Sequence, residues 1–92
     1  MHETGIVRSL VRRLEQAALE AGSDRVSGVC VRLGALSQMS PSHFREHFCE
    51  EAAGTVAERA VLRIEASSDI ADPGAQDVVI ESITLEVPEG DG

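Results

Sequence analysis

The residues with most chemical potential stand at the head of the chain, Met1-His2-Glu3. Methionine aminopeptidase trims ahead of small second residues, so Met1 is expected to stay and His2 to keep its place. A histidine there offers its imidazole Nδ1 together with its own amide nitrogen and the terminal amine. These donors close fused chelate rings around one ion, and a set that includes deprotonated amides suits square-planar or tetragonal Ni(II) or Cu(II). Such binding is pH-dependent, because the imidazole must be neutral and the amides deprotonated. Glu3 can add its carboxylate or its own amide. The competing reading is a histidine exposed at a mobile terminus with no ligand.

A second candidate is the pair His43 and His47, whose i, i+4 spacing sets both imidazoles on one helix face beside Glu46 and Glu50. It could hold a divalent ion as a weak secondary metal site, against the plainer reading of a solvated helix flank. Nucleophilic catalysis lacks support: there is no GxSxG elbow, and no arrangement pairs Cys30 or Cys49 with a base and an orienting group. The two cysteines lie nineteen positions apart without a CxxC motif and read as free packing thiols. The chain is expected not to be an enzyme.

Charge narrows the choice. Eight basic residues, all arginine, face sixteen acidic ones for a net charge of −8. That field repels phosphate backbones, and without lysine neither a Walker-type phosphate loop nor Schiff-base chemistry is available. Neither nucleic acid nor membrane is expected as a partner: no apolar run approaches the roughly 20 residues that span a bilayer. The start has no cationic, apolar leader, so a cytoplasmic location is expected.

The elements that must position these residues follow from periodicity. Ile6, Val7, Leu10, Val11, Leu14, Ala17, Ala18 and Ala21 form one stripe of a helix over 6–21, with Gly22 as its stop. The alternation of Val29, Val31 and Leu33 with Gly28, Cys30 and Arg32 predicts a strand over 25–33. Ser40-Pro41 marks a second helix start, Phe44, Phe48 and Ala52 form its apolar face, and Gly54-Thr55 ends it. Strands are expected over 60–66, where Leu62, Ile64 and Ala66 share a face, and over 78–87, where Ile83, Leu85 and Val87 do. The whole of 1–92 makes a single domain, α+β, with two helices packed on one face of a three-stranded mixed sheet. The first two strands should run parallel around their helix. Asp72-Pro73-Gly74 should turn the chain back as an antiparallel hairpin. Residues 88–92 read as a flexible acidic tail.

Met1-His2-Glu3 ahead of an amphipathic helix resembles the HypA/HybF family of hydrogenase maturation nickel metallochaperones. So does Val29-Cys30-Val31-Arg32-Leu33-Gly34-Ala35-Leu36-Ser37, which is similar to that family's strand ending in Gly-Glu-Leu-Ser. Pro41-Ser42-His43-Phe44-Arg45-Glu46-His47-Phe48 is similar to its Pro-Glu-x-Leu-x-x-x-Phe helix, and Ala53-Gly54-Thr55 to its Gly-Thr turn. The resemblance implies Ni(II) held by the Met1 amine, His2 and Glu3. It also implies delivery to a nickel enzyme, first of all [NiFe]-hydrogenase, with the hydrogenase large subunit and a HypB-like maturation GTPase as partners and another HypA-like protein as a further one.

Two departures stand out. The family places a zinc domain with paired CxxC motifs between its last two strands, whereas here a short loop over 67–77 joins them, so no structural zinc is expected. Ser40 stands where relatives often carry an acid, and Ala35 replaces the glutamate of Gly-Glu-Leu. The alternative to delivery is therefore a divergent interaction module of the same fold that binds a maturation partner without handing over nickel.

Overall fold

The computed structural model describes residues 3–86, with side chains from residue 5 onward. The order is α1 (Glu3–Ala21), β1 (Arg25–Leu33), α2 (Pro41–Ala52), β2 (Val61–Ala66) and β3 (Val78–Glu86). The expected tail and Val87 lie outside the described residues. Helix α1 begins three residues earlier than its apolar stripe predicts, because a helix needs no apolar residue in its exposed first turn. Its stop is a Schellman turn: Gly22 takes φ 68°, its N–H donates to Leu19 O, and Ser23 N–H donates to Ala18 O at 2.8 Å. Ser40 caps α2, its hydroxyl accepting the His43 N–H at 3.2 Å ahead of Pro41.

The sheet is mixed and three-stranded, in the order β2-β1-β3. Strand β1 pairs parallel with β2, Val29 opposite Leu62 and Val31 opposite Ile64. It pairs antiparallel with β3 on its other side. This corrects the expected hairpin, since β3 does not lie beside β2. The chain instead crosses the end of β1 and returns along its far edge. The most buried strand thereby takes the centre, and residues 67–77 supply the span.

Two bulges refine the alternation. Arg25–Leu33 faces β3 with one extra residue, Ser27, so Val26 and Val29 both turn inward although three positions apart. Glu81 is the extra residue in β3, which brings Ile80 and Val78 to the same face as Ile83 and Leu85.

Both helices cover one face. The core holds Val7, Leu10, Val11, Leu14 and Ala18 of α1, Val26, Val29, Val31 and Leu33 of β1, and Phe44, Phe48 and Ala52 of α2. Ala21 and Ala66 are exposed, which trims the expected stripes at their ends, and Val61 is exposed on the face opposite Leu62 and Ile64, where the alternation places it. Phe44 and Phe48 stack with ring centroids 6.4 Å apart, and Phe44 is fully buried.

Candidate functional site

Met1 and His2 lie outside the described residues, and Glu3 opens α1. What the fold supplies is the platform beneath them. Helix α1 runs antiparallel to β1. Near its C-terminal end the Ser23 hydroxyl reaches Glu86 O, and Arg25 ion-pairs with Glu86. Near its start, Ile6 and Leu10 face Val78 and Ile80. The start of α1 therefore sits at the end of the sheet where β1 finishes and where the 67–77 connection crosses.

The opening turns are firmly held. Val7 is completely buried, and Leu10, Val11 and Leu14 follow it into the core. Arg8 reaches across to α2, its Nε donating to Glu51 Oε1 at 3.1 Å and an Nη to Oε2 at 3.4 Å. The hydrogen bond to Glu51 and its charge raise the Arg8 pKa further above the ordinary arginine range. Helix geometry leaves the first N–H groups of α1 without intrahelical acceptors. The amide of Glu3 is thus open to a metal without breaking a helical bond. The positive end of the helix dipole disfavours a bare cation there.

His43 and His47 both lie on α2, one turn apart. His43 is exposed at the start of α2, while His47 is half-buried with Nδ1 3.9 Å from Glu50 Oε1. Among the described residues no three His, Cys, Asp or Glu side chains come together around a point that could hold a metal. Cys49 is exposed on α2, and Cys30 is half-buried on the face of the sheet away from the helices, beside Arg63 and Ser82.

The connection over 67–77 is docked rather than loose. Leu33 O accepts the Ser67 N–H, Gly34 N–H donates to Asp77 O at 2.9 Å, and Leu36 N–H donates to Ala75 O at 2.6 Å. Asp72 closes a local turn by accepting the Gly74 N–H at 2.9 Å, and its carboxylate lies 3.6 Å from Arg32. Arg32 also reaches Glu81 at 3.5 Å. Sequence reading placed the turn at Asp72-Pro73-Gly74. It missed that the turn seats on Gly34, the signal being the glycine at the strand's end.

Comparison with known proteins follows the same lines. The family described as "Hydrogenase/urease nickel incorporation, metallochaperone, hypA" matches residues 1–72. The chain is similar to "Hydrogenase maturation factor HypA 1" of Bradyrhizobium diazoefficiens, 41% identical over 64 residues, covering 70% of this chain and 57% of that protein. It is likewise similar to "Hydrogenase maturation factor HypA" of Chloroflexus aurantiacus, 42% identical over 65 residues, covering 71% and 57%. The match spans little more than half the length of these relatives. In fold it is similar to the solution structure of the Ni metallochaperone HypA from Helicobacter pylori, with TM-score 0.78 at 20% identity, covering 95% of this chain and 99% of that one.

Proposed function

The chain belongs to the HypA family of nickel-incorporation metallochaperones, and from that footing we propose that it captures Ni(II) at its start and hands it to a nickel metalloenzyme, in the first place [NiFe]-hydrogenase. The observation that carries this reading is the family match, which begins at residue 1 and so takes in Met1-His2 together with Glu3, the first residue of a firmly anchored α1. Nickel is cargo here. The Met1 amine, the His2 imidazole and amide, and the Glu3 region hold it for release to an acceptor. The protein performs no catalysis in this reading and works in the cytoplasm with the hydrogenase large subunit and a HypB-like GTPase.

The connection over 67–77 contains no cysteine or histidine, so it lacks the family's paired CxxC ligands, and it joins β2 to β3 across the end of β1 by backbone hydrogen bonds. That feature favours the second reading, a module that keeps partner binding without delivering nickel. Calorimetric titration of nickel into the untagged chain, His2→Ala and a form extended at its N-terminus tests the first reading. High affinity in the untagged chain and its loss in both others is expected; equal affinity in all three overturns it. A pull-down of the hydrogenase large subunit separates the second: capture that ignores both nickel and His2→Ala favours the module.

A further inference from the structure

An open groove of about 310 Å³ runs between α1 and β3, lined by Ile6, Ser9, Leu10, Arg13, Val78 and Ile80. Its walls are aliphatic and its β3 side is a sheet edge, so among the described residues no further strand covers it. Ser9 and Arg13 stand exposed at the rim. Arg13 makes no ion pair among the described residues, although the chain has twice as many acidic residues as basic ones. The neighbouring Arg12 is equally exposed and unpaired among them, so this rim is cationic on an otherwise acidic protein. Ile6 lies three residues along α1 from Glu3, roughly 4.5 Å of helix axis. An occupant of the groove would therefore sit within one helical turn of Glu3.

We propose that this groove docks a segment of the metalloenzyme that receives the nickel, one that sets one or two aliphatic side chains between Ile6, Leu10 and Ile80 and a carboxylate against Arg13. The inference rests on the delivery reading above and names the surface that would bring acceptor and donor together. A cationic rim on an acidic chain suits a carboxylate-bearing occupant, and the groove's place one helical turn from Glu3 suits the enzyme that takes the nickel. A second copy packed symmetrically here would set Arg13 against its own counterpart. A small molecule would find an open trough with only the Ser9 hydroxyl and the Arg13 guanidinium to orient it.

Two substitutions outside the core test it in the full untagged chain. Ser9→Phe fills the groove from its rim, and Arg13→Glu reverses the rim charge; Arg59→Glu, outside the groove, is the control. The probe is the purified nickel-free precursor of the [NiFe]-hydrogenase large subunit, with binding followed by interferometry and nickel affinity by titration. Ser9→Phe and Arg13→Glu are each expected to weaken precursor binding at least tenfold while nickel affinity and the Arg59→Glu variant stay at wild-type values. Should Ser9→Phe not fold, as judged by circular dichroism, Arg13→Glu alone decides. Unchanged precursor binding overturns the proposal. So does sedimentation showing that the variants disperse a dimer while precursor binding persists. If the wild type binds no nickel yet precursor binding still depends on Arg13, the delivery reading fails and the docking surface stands. If nickel binds but neither substitution matters, the reverse holds.

Discussion

Gly34 lies directly against the backbone of the 67–77 connection: a Cβ placed on it would come 2.6 Å from Gly74 O and closer still to the Ala75 carbonyl. The atoms it would meet are main chain, which cannot swing aside like the end of a side chain. The same contact is bracketed by the Gly34–Asp77 and Leu36–Ala75 hydrogen bonds. Gly34→Ala must therefore lift the connection from the end of β1. A cost of about 1–3 kcal/mol is expected for such overpacking. For a domain of this size each kcal/mol corresponds to roughly 4–8 °C in melting temperature. A thermal scan within a degree of wild type would contradict the tight seating of the connection.

Ser40 gives a smaller, separable effect. Its hydroxyl is the acceptor for the His43 N–H, and Pro41 has no N–H to offer in its place. Ser40→Ala should lose about 1 kcal/mol by urea denaturation, while Ser40→Asp should keep the cap. Equal losses in both variants would remove the capping argument.

These two sites show which parts of the fold sequence reveals. The limits of β1 and the start of α2 were legible, because alternation and the Ser-Pro pair act within a few residues. The faces of β3 were only half legible. Periodicity assigned Ile83 and Leu85, but the bulge at Glu81 adds Ile80 and Val78, and a bulge depends on the partner strand's register. Strand order was not legible, since alternation fixes a face and not a neighbour. The Asp72-Pro73-Gly74 turn could have closed a hairpin, yet β3 gains more by lying along β1, where Val31 faces Ile80 and Leu33 faces Val78. At the chain start, residue types suggested a chelate. The structure adds a helix whose first N–H groups are open and whose second turn is tied to α2 through Arg8 and Glu51. The groove beside Arg13 could not be read in advance, because it exists only where β3 has crossed to the α1 side.

Phe44 sets the tolerance of the core. It is fully buried and stacked on Phe48, in a chain with only two aromatic residues. Phe44→Ala should cost about 3–5 kcal/mol. That is a large part of the 5–15 kcal/mol typical of whole domains, so loss of a cooperative urea transition is expected. Phe44→Leu should cost under about 1.5 kcal/mol and stay cooperative. Comparable behaviour of the two would place the helix packing elsewhere than on this pair.

Nickel itself should add little to thermal stability, and this separates the proposed chain-start site from any site that only folding assembles. The donors of Met1, His2 and Glu3 are consecutive, so the unfolded chain presents the same amine, amides and imidazole as the folded one. A ligand binding the folded state alone adds about 2.7 kcal/mol at a hundredfold its Kd, and binding to the unfolded state cancels that gain. The gain would otherwise appear as roughly 10–20 °C in a domain this small. A calorimetric scan with saturating nickel should therefore show a shift far below that range, even where titration reports tight binding. A full-sized shift would require donors that only the folded chain assembles. His43 and His47 of α2 are the first to examine, and the shift should then vanish in His43→Ala/His47→Ala and survive in His2→Ala.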